Sequence, residues 1–455
     1  MPSVSTSLDC GLFGDLFGTE RMRAVFDSRA LLQAWLDVEV ALAEAEADAG
    51  VIPAAAVEGI RAAARAERFD LDELREGIRR SQHPLVPTIE GLSEAAGKAG
   101  RYVHWGATTQ DIMDTATVLQ IRASLDLVER ALAELIEALA EQARHHARTS
   151  MPGRTHGQHA VPTTFGLVVG VWLDELGRTQ ARLAECRGRV LVVQLGGAAG
   201  TLASLGSRGR VVREAFARHL ELGLPPTPWH SARDGAAELV STLGILAGTL
   251  EKIALRIIRL QATEIAEVGE PDELGNVGSS TMPQKRNPMM SEYVAASCKL
   301  IRGLVPVMQS AMVGEHERDM ASWATEWLII PRAFVLTDAA LSHLAEIVRG
   351  LDVDERRMAA NLELTNGGIL AERVMLALAD HVGRLRAHHL IAEVARDAER
   401  RGIHLLTAIC DSPEVAPFLT MLDLDKLREL GSYLGEAPEL AHAAAERAAS
   451  QVRVK

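Results

Sequence analysis

The sequence predicts an all-α protein of three helical domains, with a central bundle of long helices. Three observations carry the helical class. Aromatic residues are only 4% of the 455, while alanine and leucine abound; both lose little side-chain entropy in a helix, so the mix favours helix packed on helix over sheet. Two stretches carry unbroken heptad seams. The dense polar segments are few and fall near predicted helix ends. With 47% hydrophobic and 24% charged residues, the composition is that of an ordinary globular protein with a large core.

In chain order, the first helix is expected from about residue 20 to 48, where Val25, Leu32, Trp35, Leu36, Val40 and Ala43 recur at helical spacing and Gly50 is a plausible stop. Pro53 opens a shorter helix. The stretch to about residue 100 is polar and broken by Pro84 and Pro87, giving an N-terminal domain over 1–100. A long helix follows over 114–148, with the seam Val118, Ile121, Leu125, Val128, Leu132, Leu135 and Leu139. A helix of about 35 residues is about 50 Å long. A second seam runs Leu239, Leu243, Leu246, Leu250, Ile253, Ile257 and Leu260, and further apolar helices are expected over 163–188 and 288–312. These make a central domain over 101–350. One small bundle is not expected to cover all of its seams, which points to subunit association. Shorter helices and more polar turns from residue 351 fit a C-terminal domain over 351–455.

The net charge of −13 makes the chain a poor general binder of nucleic acid or of anionic membrane, but leaves an anionic substrate open, since a pocket can be locally positive. No apolar run approaches a membrane span, and residues 1–9 lack a basic region followed by an apolar stretch. Cys10, Cys186, Cys298 and Cys410 lie far apart, as expected of free or buried thiols in a reducing cytoplasm.

Three polar segments interrupt the helices. The first runs from His104 through Thr108 and Thr109 to Asp114, ahead of a long helix. Backbone N–H groups and the positive helix end suit a carboxylate there; an ordinary Thr/Asp cap is the other reading. The second is Arg154-Thr155-His156-Gly157-Gln158-His159, followed by Pro162-Thr163-Thr164. A histidine here can exchange protons near neutrality, or the pair can be structural. No suitable third ligand lies nearby in sequence, so no metal site is expected. The third is the loop 269–288, where Gly269, Gly275 and Gly278 confer mobility, Ser279 and Ser280 supply hydroxyls, and Lys285, Arg286 and Asn287 supply charge and an amide, with Glu292 on the helix beyond. It lacks the order of a Walker phosphate loop.

The stretch Gly278-Ser279-Ser280-Thr281-Met282-Pro283-Gln284-Lys285-Arg286-Asn287-Pro288 resembles the signature of the fumarase/aspartase superfamily at every fixed position. The first two segments, the N-terminal helix and Asn361–Thr365 extend the likeness over nearly the whole chain. The resemblance implies a homotetramer in which three subunits each lend one segment to an active site. Leu195–Gly206, Arg101–Thr108, Pro228-Trp229-His230 and Glu315–Arg318 resemble the bacterial 3-carboxy-cis,cis-muconate cycloisomerase branch. Thr155–His159 with Pro162–Thr164 is similar to adenylosuccinate lyase. The cycloisomerases often carry an apolar residue where His156 stands. Adenylosuccinate lyases usually hold the nucleotide phosphate with a Ser and an Arg where Trp323 and Trp327 stand here.

What the resemblance implies is a lyase without metal or organic cofactor, acting on a small polycarboxylate by β-elimination to fumarate or a related unsaturated dicarboxylate, from an amine, substituted-nitrogen or nitro succinate. A lactonizing cycloisomerase, an adenylosuccinate lyase and a silent structural relative are the alternatives. By family position Ser279 is the general base, and His156 the general acid oriented by Glu292. Lys285, Asn287, Thr108 and Thr109 suit the substrate carboxylates. His104, His159, Thr155, Gln158, Ser280, Met282 and Arg318 complete the substrate-binding set.

Overall fold

The structure, a computed structural model, describes residues 12–271, 282 and 284–453. Helices dominate it, and the all-α expectation holds: among the described residues the named strands form two small antiparallel pairs. The chain divides into two compact units. One comprises Met1–Leu132, Arg178–Glu251 and Tyr293–Ser342; the other comprises Ala133–Gly177, Lys252–Glu292 and His343–Lys455. All five boundaries fall inside helices, namely Thr109–His145, Phe165–Val190, Asp234–Gln261, Met289–Ser310 and Met320–Arg349, so neither unit is one consecutive stretch of chain.

The first expected helix is two helices, Glu20–Val25 and Ser28–Asp48. Asp27 interrupts it, because its carboxylate accepts from the Ala30 N–H at 2.8 Å and starts a new helix there. The 28–48 helix buries Leu32, Leu36, Val38 and Leu42 in the core of the first unit. In the second unit, Leu378 of helix Ala371–Val382 and Ile391 of helix Arg384–Arg401 share a core with Leu405 and Leu406.

Both heptad seams are real, and they lie deeper than expected. No residue of either is more than 3% exposed in the single chain. The seams therefore need no second subunit to cover them, because neighbouring helices of the same chain do so. The large apolar side chains left open on these helices are others: Val171, Ile245, Leu255, Leu300, Val307 and Leu328. One helix, Met320–Arg349, is long and apolar enough to cross a membrane, contrary to the reading of the sequence, but 67% of its most apolar window is buried inside the protein. It also carries Asp338, which is fully buried and accepts hydrogen bonds from Thr19 and Arg21. These are the traits of a core helix.

A buried ion cluster fixes the start of the Thr109–His145 helix within the first unit. The Arg233 guanidinium donates to Asp114 at 2.8 and 3.0 Å and to Glu326 at 2.7 and 2.5 Å. The Trp323 indole donates to Asp114 at 2.8 Å, and Arg233 lies 4.7 Å over the Trp229 ring. Arg233, Asp114 and Glu326 are each at most 5% exposed. Removing the one cation strands two buried carboxylates, which typically costs about 3–5 kcal/mol. Arg233→Leu is expected to lower the unfolding free energy by that amount, read as a lower urea midpoint with an unchanged denaturant slope. An unaltered midpoint would show that the cluster contributes nothing net.

Candidate active site

Asp111 organises the first polar segment. It sits in the first turn of the Thr109–His145 helix and is fully buried. One carboxylate oxygen accepts from the Gly196 N–H at 2.8 Å and lies 2.7 Å from His230 Nε2. The other accepts from the N–H groups of Gly197 and Thr108, both at 2.9 Å. Gly197 takes a φ of +67°, which a side chain would strain, and this turns its amide toward Asp111. The Thr108 N–H is thus committed to a cap rather than open to a ligand. The Thr108 hydroxyl accepts from Arg318 at 2.6 Å, and Arg318 also donates to Gln110 at 3.2 Å. Two residues assigned to substrate binding, distant in sequence, are therefore neighbours.

Thr109 Oγ1 lies 3.1 Å from Nε2 of His83, which the sequence reading passed over. Burial, with Arg318 and His104 nearby, pushes the proton affinity of His83 below the ordinary histidine value. His104 differs. Burial opposes its charging, but Glu39, whose carboxylate lies 2.7 Å from Nδ1, outweighs this by charge and hydrogen bond, and Asp111 adds to it. Its affinity is raised. The first segment therefore sets an imidazole whose charging is favoured near one whose charging is disfavoured.

The second segment is a β-hairpin rather than a loop between helices. Strands Ser150–Thr155 and Gln158–Thr164 pair antiparallel, with Thr155 opposite Gln158 and Arg154 opposite His159. His156 and Gly157 make the two-residue turn at φ +53° and +78°, the left-handed pair a type I′ turn requires. This puts His156 at the exposed tip, flanked by exposed Thr155 and Gln158. Just behind the turn the hairpin is anchored by Arg154, which grips buried Glu267 with two hydrogen bonds at 2.8 and 2.5 Å; Asn361 donates to the same carboxylate at 2.8 Å. His159 is half-buried and its Nδ1 has no partner. Burial and the charge of Arg154 lower its proton affinity, against the pull of Glu267.

Residues 272–281 and 283 lie outside the described residues, and with them Gly275, Gly278, Ser279 and Ser280. At the far end of the loop, Met282 and Lys285 are exposed and Asn287 is half-buried. Glu292 is exposed on the first turn of the Met289–Ser310 helix. That helix start is capped by Glu270, whose carboxylate accepts from the N–H groups of Ser291 at 2.7 Å and Met290 at 3.3 Å. Gln261 ties both ends of the loop, accepting from the Glu270 N–H at 2.9 Å and donating to the Arg286 carbonyl at 3.3 Å. Within the single chain the side chains of His156 and Glu292 form no hydrogen bond with each other. The first segment thus belongs to one unit of the chain, and the second and third to the other.

Among the described residues, one group has the composition of a metal site: His145, His146 and Glu355, with ligand atoms within 4.8 Å of one another. It belongs to none of the three segments, and two of its members, His146 and Glu355, already have polar partners. His146 Nδ1 lies 3.0 Å from Thr149 Oγ1, which donates to Glu355 at 2.9 Å.

Residues 17–303 match a family model described as Lyase, and residues 367–444 match one described as Adenylosuccinate lyase C-terminus. A curated 3-carboxy-cis,cis-muconate cycloisomerase of Pseudomonas aeruginosa is 44% identical, with 94% of each chain covered. An N-acetyl-S-(2-succino)cysteine lyase of Dickeya dadantii is 40% identical, with 96% of each covered. The crystal structure of a 3-carboxy-cis,cis-muconate lactonizing enzyme from Pseudomonas putida superposes with a TM-score of 0.91 at 41% identity, covering 98% of this chain and 100% of that one. With the family matched over more than half its length, relatives this similar from end to end and the same fold, the chain belongs to the fumarase/aspartase superfamily of lyases.

Proposed function

We propose that the protein catalyses β-elimination from a small substituted succinate, releasing fumarate or a related unsaturated dicarboxylate. The observation that supports elimination is His156: an imidazole held out at a hairpin tip, exposed and without a hydrogen-bond partner in its own chain. Ser279 takes the proton from the carbon next to one carboxylate. Lys285, Asn287, Thr108 and Thr109 hold the substrate carboxylates, and the charge of the resulting aci-carboxylate is the main term to be stabilised. The bond to the leaving atom then breaks with its electron pair, and His156 delivers a proton to that atom. The amine, substituted-nitrogen and nitro succinates suggested by the sequence are joined by thioether succinates, given the relative named for a succinocysteine.

In this reading the sites are shared within a homotetramer, with Glu292 of one subunit orienting His156 of another. The exposed apolar residues of the long helices offer surface for that assembly. A nucleotide substrate is disfavoured by Trp323, which is 4% exposed with its N–H committed to Asp114, and by Trp327, which packs edge-on against it; neither can replace a phosphate clamp. Lactonization is the second reading, supported by the relatives named as cycloisomerases.

A substrate panel tests the proposal: aspartate, nitrosuccinate, a thioether succinate, argininosuccinate, adenylosuccinate and 3-carboxymuconate. The expected result is an unsaturated dicarboxylate, followed by its ultraviolet absorbance, from an N- or S-substituted succinate. Turnover of 3-carboxymuconate alone would replace elimination with lactonization.

A further inference from the structure

His145, His146 and Glu355 stand in a setting that favours a cation, and all three belong to the second unit. His146 is held in place by its surroundings. It is 6% exposed, its ring meets Phe165 edge-on at 5.5 Å, and its carbonyl accepts from the N–H groups of Thr149 at 3.1 Å and Gly166 at 2.9 Å. His145 closes the Thr109–His145 helix, whose carbonyl end attracts positive charge. Both histidines line a cavity of about 390 Å³. Glu141, one helical turn before His145, and Asp352 bring carboxylates to the same lining, while the arginine there, Arg349, is paired with Glu134 at 3.0 Å. Carboxylates outnumber guanidinium groups around the cavity, a field that draws a cation in.

Two imidazoles and a carboxylate are the donor set of zinc and its neighbours, and a poor set for magnesium or calcium, which take oxygen ligands. The spacing agrees. His146 Nδ1 lies 3.3 Å from Glu355 Oε1. Bonds of about 2.0–2.2 Å to a tetrahedral centre set two ligand atoms about 3.3–3.6 Å apart. His145 supplies the third ligand atom, all three lying within 4.8 Å of one another, and a small rotation of its exposed ring closes the remaining gap. Thr149 donates to Glu355 at 2.9 Å, the kind of hydrogen bond that orients a carboxylate ligand. We propose that His145, His146 and Glu355 bind a divalent transition-metal ion of the zinc type, with water completing its coordination. The ion takes the place of the His146 Nδ1 proton, which otherwise points to Thr149 Oγ1 at 3.0 Å. It ties the end of the Thr109–His145 helix to the start of the Glu355–Leu362 helix. The first hairpin strand begins at Ser150, just past His146, and Asn361 on the second of these helices holds the Glu267 that grips Arg154. The metal is thereby a brace under the hairpin that carries His156.

The test is binding, so it does not depend on which reaction the protein catalyses. Full-length protein stripped with a chelator and titrated with zinc chloride in a calorimeter is expected to take up one ion per chain at this site, and magnesium chloride is expected not to compete. Glu355→Gln and His145→Ala change exposed side chains and are expected to fold as wild type does. Each should weaken zinc by at least about tenfold, since even the loss of a group behind a metal ligand costs that much. Replacing His388 and His389, another adjacent and exposed pair, by alanine is expected to leave the affinity unchanged. Zinc is also expected to slow amide hydrogen exchange in residues 150–164 of wild type and not of Glu355→Gln. No binding by wild type, equal binding of magnesium, or a loss in Glu355→Gln and His145→Ala no greater than in the His388 and His389 variant would overturn the site. Zinc bound without added protection of the hairpin would overturn the brace.

Discussion

Ser279→Ala is expected to abolish turnover, by at least about 10⁴-fold, while leaving the assembly intact. The loop that carries Ser279 contributes nothing to the buried seams, so its loss should not disturb packing. A base acts in the chemical step, so on the elimination reading proposed above the loss is expected in kcat rather than in KM. Light scattering is expected to give the mass of a homotetramer, the assembly proposed above, for Ser279→Ala and wild type alike. The same variant tests whether sites are shared. Ser279→Ala and His156→Leu subunits, each strongly impaired alone, are expected to regain a fraction of wild-type turnover when dissociated and reassembled together, because some mixed sites then draw both segments from intact subunits. A near-normal rate for Ser279→Ala would remove it from the base role, and a stable, active monomer would sink the shared site.

His156→Leu is expected to lower turnover by about 10²–10⁴-fold, the usual contribution of a general acid. The loss should be smallest for a leaving group that departs readily as an anion, such as nitrite. The left-handed backbone at His156 complicates a leucine, which fits that conformation poorly; His156→Asn tolerates it and removes the acid without straining the turn. Both variants are expected to fall together. If both lose less than about threefold, with an unchanged pH profile, the acid role is gone and lactonization is restored.

The long helices were legible because their seams repeat at a fixed period over many turns: Val118 to Leu139 and Leu239 to Leu260 are apolar in sequence and buried in the fold. The break at Asp27 was not, since one capping carboxylate overrode a helical pattern that runs through it. The hairpin was hidden by Pro152 and Pro162, which cannot donate to a ladder and argue against strands, and by a turn of His-Gly rather than Asn-Gly. Of the candidate site, the motif residues stood out by type and spacing. Asp111, Glu270 and His83 did not, because what they do depends on partners brought near by folding: Asp111 meets Gly196 and His230, and His83 meets Thr109. A period cannot reveal such pairs.

The knot around Asp111 also sets an order of assembly. Its carboxylate is filled by donors from three places, and the last of them, His230, is synthesised 119 residues after it. Until the ribosome has delivered that stretch, Asp111 faces burial without its donors, a state the hydrated chain avoids. The helix behind it can wind early from local contacts, but the end that presents Thr108 and Thr109 must wait for a long-range closure. That end of the helix is therefore completed no earlier than the stretch around His230.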